Sequence, residues 1–256
     1  MEVKMIKTIR NLISFMTIFP VGMTQDCLED AAEHMYLFPF IGAMLGFLAG
    51  IFGLALSYIL PNLIVGALTC GFLLLLTGLH HTDGLLDFGD GLMCHGPPDK
   101  KIKAMHDLQT GTGGFMLGLI TILATILAIS ELRMQIILQS LVTSETLAKL
   151  AMVVLAWMGK SAHEGMNTYF VKAMHGSHRK LRIILALAIS LLIVLLALKL
   201  TGLLLLVISV VTATIILGIS NKHFRGITGD VMGASNELTR MIVLLSILVL
   251  NTHGMI

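Results

Sequence analysis

Charge is scarce in this chain. Asp, Glu, Lys and Arg make up 12% of its 256 residues, against roughly 25% in a soluble domain. With 56% hydrophobic residues and a mean hydropathy of +0.91, that shortage excludes an ordinary soluble enzyme. It predicts an all-α polytopic membrane protein. Cysteine is scarce too. Cys27, Cys70 and Cys94 are widely spaced and form no CxxC or Cys/His pattern, which argues against a disulfide framework or a zinc site. Cys94-His95 reads as a packed thiol rather than a metal thiolate. There is no signal-peptide cleavage pattern after the first apolar stretch, and no internal repeat. The most telling absence is local: no Lys or Arg occurs between Asn11 and Asp99.

That cation-free stretch ends in an acidic motif. It reads His80-His81-Thr-Asp83-Gly-Leu-Leu-Asp87-Phe-Gly-Asp90-Gly91, followed by His106-Asp107-Leu-Gln-Thr-Gly111-Thr112-Gly113-Gly114. If helical, it puts Asp83, Asp87 and Asp90 on one face, since i, i+4 and i+7 are neighbours. Carboxylates on one face repel and raise one another's pKa unless something neutralises them. A divalent cation is the simplest remedy, because Mg²⁺ takes oxygen ligands and is usually shared with phosphates. Helix capping, which can explain one aspartate but hardly three, an ion or proton path, and a structural network with distant cations are the other readings.

Seven apolar segments follow from hydropathy, near or below the length of a spanning helix. They are 35–60, 63–79, 115–129, 134–158, 183–198, 203–219 and a marginal 238–250. Residues Val3 to Phe19 read as an amphipathic helix with Lys4, Lys7, Thr8, Asn11 and Ser14 on one side, lying in the interface with its basic face toward headgroups. Pro20 and Gly22 end it. Gln25 to His34 reads as a short polar helix with Asp26, Glu29, Asp30 and Glu33 on a solvated face. Gly42, Gly46 and Gly50 form a small-xxx-small stripe for close packing, within one chain or between copies of a homo-oligomer.

The expected organisation is one membrane domain. Residues 1–34 are interfacial, 35–79 the first hairpin, 80–114 the Asp/Gly loop and 115–158 the second hairpin. A basic loop at 159–182, a third hairpin at 183–219 and a last motif with helix at 220–256 complete it. With the N-terminus in the cytoplasm, 14 of the 17 basic residues fall inside, Arg240 among them, as the positive-inside rule requires. All long polar loops then share the cytoplasmic face of a cell membrane.

Further chemistry sits in the last motif, His223-Phe-Arg225-Gly226-Ile-Thr228-Gly229-Asp230-Val-Met-Gly233-Ala234-Ser-Asn236-Glu237. Asp230 can join a metal shell or orient a nucleophile, and the planar fork of Arg225 suits phosphate. A plain Thr/Asp cap with packing glycines is the alternative. The glycine-rich run at Gly111, Thr112 and Gly113 opens a helix, whose free N–H groups favour phosphate. Glu145 and Lys149 are an i, i+4 pair inside a span, either structural or the wall of a wet site. His81 and His106, next to motif aspartates, are the general-base candidates, with Asp107.

These motifs resemble the cobalamin synthase family, the adenosylcobinamide-GDP ribazoletransferases. Phe38-Pro39 with Gly42 and Gly46, the His81-to-Gly91 spelling, Met105-His-Asp107 with Gly111-Thr112, and Thr228-Gly229-Asp230 with Gly233, Ala234 and Glu237 carry the likeness. It runs from about Phe15 to Leu250. The resemblance implies a Mg²⁺-dependent transfer in cobalamin assembly. Adenosylcobinamide-GDP is the donor, alpha-ribazole or its 5′-phosphate the acceptor, and GMP the leaving product. It implies that Asp83, Asp87 and Asp90 hold metal and that His81 or Asp107 takes the hydroxyl proton. Asp230 serves the same chemistry, and Arg225, Thr228, Gly229, Glu237 and the glycine loops hold substrate. Two departures stand out. Leu108-Gln109 replaces the family's Ser-Arg, so Lys103 or Arg225 must supply the phosphate-holding cation. Lys149 stands where an Arg is usual. Small molecules and the bilayer are the expected partners, and nucleic acid is not. A CDP-alcohol phosphotransferase and an ion-coupled transporter are the competing readings. The first lacks its Ala-Arg between aspartates; the second could use the acidic cluster and the Glu145/Lys149 pair, but the chain lacks repeats and its motif aspartates sit at span ends on one side.

Overall fold

The computed structural model describes residues 2–19, 21–22 and 26–256, with side chains from Met5 onward. The side chain of Lys4 on the polar face, Pro20 as a helix end and Gln25 as a helix start lie outside what is described. The described residues form eleven helices with no strand, apart from one isolated bridge between Ser161 and Ile227. They are α1 (Glu2–Met16), α2 (Cys27–Glu33), α3 (Phe38–Ser57), α4 (Asn62–Leu76), α5 (His80–Met93), α6 (Pro98–Met105), α7 (Thr112–Ser130), α8 (Ile137–Met158), α9 (Met166–His175), α10 (Arg179–Phe224) and α11 (Gly229–Thr252).

Five stretches are long and apolar enough to cross a membrane: Met35–Leu56, Thr112–Ser130, Met134–Met158, Arg179–Phe224 and Gly229–Thr252. The fourth is two spans in one. The helix breaks at Leu198 and Lys199, where Lys199 takes φ +54°. A Cβ on Gly202 would run into the carbonyl of Val194, so the two arms fold back against each other. They are the expected segments 183–198 and 203–219. The last apolar segment, marginal in the sequence, is the core of a 24-residue helix. Its polar first turns, Gly229 to Glu237, lower the hydropathy but continue the helix inward because their side chains have partners there. The protein is a multi-pass membrane protein.

Helix α8 is the axis of the bundle, buried on nearly every side by α3, α10 and α11. The glycine stripe makes this possible. A Cβ at Gly42 would strike the Glu145 carbonyl, one at Gly46 the Leu141 carbonyl, and one at Gly50 the Leu138 side chain. The stripe therefore packs α3 on α8 within one chain.

The polar face of α1 is turned differently from the sequence expectation. Lys7 pairs with Asp26 at 2.8 Å and Asn11 donates to Asp30 at 2.8 Å, while Met5 and Ile6 are exposed. The acidic face of α2 is thus not simply solvated: its carboxylates attract the polar face of α1 and leave the apolar edge outward.

Two successive left-handed residues, Gly78 and Leu79 (both φ +62°), end α4. They turn the chain by 95°, so α5 crosses the bundle end instead of extending α4. The long loops gather with α5 at that end. The start of α8, the Leu198–Lys199 break and the C-terminal residues 254–256 share a cleft. The end of α8, the end of α10 and the end of α9 share another, which places the two sets at opposite ends of the bundle.

Candidate active site

Helix α5 is short and amphipathic, and glycines decide what it touches. A Cβ on Gly84 would lie 2.9 Å from Asp230 Cα, and one on Gly233 would lie 3.1 Å from the His81 carbonyl. The α5–α11 seam therefore closes only with hydrogen at these positions. It brings Asp230 to the aspartate face of α5. Asp87 feels the result: its pKa rises to about 7, through burial first and then the charges of Asp230, Asp83 and Asp90. Among the described residues, none of these four carboxylates has an ion-pair partner.

Asp90, on the same face, has partners of its own. Its oxygens accept from the backbone N–H of Gly111 at 2.6 Å and Gly114 at 2.7 Å. It caps α7 from a distance, as an N-terminal carboxylate does. The N–H groups of Gly111 and Gly114 are accordingly committed to Asp90 rather than free for phosphate. Gly113 and Gly114 serve packing, since side chains there would meet Met93 and the Leu86 carbonyl. Thr112 is the first residue of α7 on that seam.

Beside Asp230 lies a cavity of about 580 Å³. Its walls include His80, His81, His106 and His163, the aromatics Phe15, Phe38 and Phe170, and Thr228, Gly229 and Asp230. Burial, reinforced by Lys149 and Arg240, pushes His81 well below the ordinary histidine range. It is neutral at pH 7, the form that accepts a proton. His106 meets His163 edge-on, with ring centroids 5.2 Å apart. Thr228 caps α11 by accepting from the Val231 N–H at 3.2 Å, so the cap reading and the site reading hold together: one residue caps while its neighbours line the cavity.

Other candidate residues fall elsewhere. Asp107 accepts from the Gln109 N–H at 3.1 Å in a tight turn. With Lys103 it lines a separate surface cleft that reaches the main cavity only through His106. Arg225 sits at a left-handed helix end, points to Asp99 at 3.6 Å and lines a third cleft with Lys160 and His175. Neither cation lines the cavity beside Asp230.

Glu237 is buried among charges. Arg240, assigned to the cytoplasmic surface by charge counting, is 1% exposed and enclosed inside α11. It pairs with Glu145 and Glu237. Lys149 donates to Asn236 at 2.6 Å and to Glu145 at 3.4 Å, and Asn236 donates to Glu237 at 3.0 Å. Two acids, two bases and one amide close a network of zero net charge. Glu145 and Lys149 are therefore structural, and Glu237 belongs with them rather than with substrate phosphate. Burial overrides the charge count for Arg240 because its partner Glu145 lies 95 residues away in sequence.

His163, Phe15 and Phe170 escaped the motif search, which weighed histidines only beside aspartates. The loop carrying His163 is pinned by Ala162 N–H to the Ile227 carbonyl (2.9 Å) and Ile227 N–H to the Lys160 carbonyl (2.8 Å). Asn167 Nδ2 also donates to the Ile227 carbonyl at 2.9 Å. A Cβ on Gly226 would strike this loop at Ala162 N. The only trace in the sequence is a Gly-Ile-Thr-Gly-Asp turn beside a second polar loop. Among the described residues, no group of three or more His, Cys, Asp and Glu is placed to hold a metal ion.

The cobalamin-5-phosphate synthase family profile matches residues 8–248. The chain is 35% identical over 247 residues to the adenosylcobinamide-GDP ribazoletransferase of Methanococcoides burtonii, covering 93% of this chain and 90% of the relative. It is 35% identical over 251 residues to that of Methanocella arvoryzae, covering 92% and 93%, and 30% identical to that of Pyrococcus abyssi, covering 90% and 93%. No solved structure matches. The profile spans both aspartate motifs and the helices that join them, so the chain belongs to the cobalamin-5-phosphate synthase family.

Proposed function

We propose that this chain is an adenosylcobinamide-GDP ribazoletransferase. It joins the donor to alpha-ribazole or its 5′-phosphate and releases GMP, late in cobalamin synthesis. The carrying observation is the approach of Asp83 and Asp230 to Asp87, without a paired cation among the described residues, with Asp230 also on the wall of the cavity.

An acceptor hydroxyl oxygen bonds to the phosphorus that stays with the corrinoid. The bond from that phosphorus to the GMP oxygen breaks, and the hydroxyl proton passes to a base. His81, neutral and on the cavity wall, suits that role better than Asp107, which caps its own turn. One or two of Asp83, Asp87 and Asp230 would hold Mg²⁺, and Asp90 holds the α7 terminus behind them. This donor set fits Mg²⁺, which usually takes one or two carboxylates and completes its shell with water and phosphate, so a full protein cage is not required. Bound there, the ion supplies neutralisation of the diphosphate and of the departing GMP. Among the described residues, no arginine or lysine lines the cavity, which supports giving that neutralisation to the ion.

We also place the catalytic face in the cytoplasm. Lys100, Lys101, Lys103, Lys160 and Lys172 belong to the loops and helices of this end, whereas Arg133 and Lys199 belong to the turns of the other. The reaction test uses protein in liposomes with adenosylcobinamide-GDP, alpha-ribazole 5′-phosphate and Mg²⁺. GMP should appear in step with the cobalamin product and stop with EDTA. Full GMP release in EDTA would remove the metal from this account, and no product under any condition would remove the reaction. Leu108→Cys, on the exposed loop, should resist an impermeant thiol reagent added outside intact cells, in a Cys94→Ser background. Labelling from outside would reverse the orientation.

A further inference from the structure

The cavity beside Asp230 has two chemically different halves. One is aromatic. Phe15 and Phe170 lie 5.4 Å apart by ring centroid, Phe38 and Phe170 5.8 Å, and Phe15 and Phe38 6.4 Å. Helices α1, α3 and α9 each contribute one ring, so the wall exists only in the folded bundle. The other half is polar and incomplete. His163 Nδ1 lies 2.9 Å from the Glu164 carbonyl oxygen. A carbonyl only accepts, so Nδ1 carries the ring proton and Nε2 is left as an acceptor. That Nε2 is buried and has no partner among the described residues, and the same holds for Ser14 Oγ on the same cavity. Buried polar atoms are almost always hydrogen-bonded. Two orphans on one cavity wall mark where a ligand completes the set.

Size decides which ligand. Small-molecule pockets run from about 300 to 1,000 Å³, and this cavity, at about 580 Å³, takes a nucleoside. A corrinoid with its axial adenosyl group is far too large. We infer that the cavity is the seat of the acceptor nucleoside, its flat heteroaromatic base against Phe15, which the buried rings of Phe38 and Phe170 back from behind, and a ribose hydroxyl donating to His163 Nε2. The corrinoid then stays outside and offers only its diphosphate at Asp230, the residue common to the cavity and the carboxylate cluster. This rests on the transferase reading. His163 is a binding residue in it, with no bond made or broken there.

The test is calorimetric titration of the full chain in detergent, without donor or divalent metal, using two probes: alpha-ribazole and free 5,6-dimethylbenzimidazole. His163→Ala should weaken alpha-ribazole about tenfold, the size of one lost hydrogen bond, and leave the free base unchanged. Phe15→Leu should weaken both, about tenfold, through lost aromatic contact. Retained binding of the free base shows that His163→Ala has kept its cavity. Loss of both probes in His163→Ala would overturn the assignment of His163 to the hydroxyl. Wild-type affinity for alpha-ribazole in both variants, from a protein whose parent still releases GMP, would overturn the seat alone. A parent that neither binds alpha-ribazole nor releases GMP would overturn the transferase reading beneath it.

Discussion

The protein holds two acidic groups on α11 and its neighbours, and they are solved in opposite ways. Inside the bundle, Glu145 and Glu237 are matched by Lys149 and Arg240, with Asn236 bridging them. At the bundle end, Asp83, Asp87 and Asp230 approach one another with no paired cation among the described residues. Burial forbids an unpaired charge, so the inner acids must carry their own partners. The outer acids keep access to water, so their neutralisation can be left to something that comes and goes. The fold neutralises the inner acids itself and leaves the outer ones open, and the proposed metal site rests on the open ones.

The comparison breaks most visibly if a cation is removed from the inner group. Arg240→Met leaves two buried carboxylates short of a partner and should cost about 3–5 kcal/mol, read as a fall in unfolding midpoint in detergent. An unchanged midpoint would mean that the inner group is not closed. In the outer group the expected loss is activity instead. Asp87→Asn should lower GMP formation by about 10²–10³-fold, the scale of one lost electrostatic contact in a transition state. Its unfolding midpoint should hold or rise, because a repelled charge is gone. A variant that turns over at the parental rate in saturating Mg²⁺ would remove Asp87 from the site.

Acidity sharpens the contrast further. With its pKa raised to about 7, Asp87 keeps its proton below that pH, and the proton competes with a cation. Half-saturating Mg²⁺ should therefore rise as pH falls from 7 to 6, approaching about tenfold per unit, one proton displaced per ion bound. Asp87→Asn should lose this dependence. The metal-free protein has the opposite sign. The raised pKa contributes stability below the unfolded value of about 3.9, and that contribution is lost as pH climbs through about 7. Asp90 gives the smallest effect. Asp90→Ala removes two N–H contacts from α7 and should cost about 1 kcal/mol, with a midpoint shift larger than any change in Mg²⁺ affinity.

Much of this contrast can be read in the chain before any coordinates. The i, i+4, i+7 spacing predicts the aspartate face of α5, and α5 is indeed one helix from His80 to Met93. Hydropathy predicts the seven apolar segments, including the two arms joined at Lys199. Spelling alone marked Asp230 and the glycines around it. Spelling did not separate Asp90 from Asp83 and Asp87. All three share a helical face, and only the nearness of the α7 amides commits Asp90 to capping. Nor did it place Arg225 and Lys103, whose charge suits phosphate anywhere. The turn after Phe224 and the short helix α6 send them to other clefts.

Arg240 shows the boundary most clearly. A guanidinium near the start of an apolar run counts as a cytoplasmic charge when partners are sought nearby. It becomes the centre of a buried network once α11 lies against α8. Local physics, meaning helical period, turn chemistry and the cost of charge in lipid, was enough to determine the helices, the membrane class and the acidic face. Whether each acid would be neutralised from within or left open was settled by tertiary packing, because the partners come from helices far apart in the chain and only glycine-lined seams bring them together.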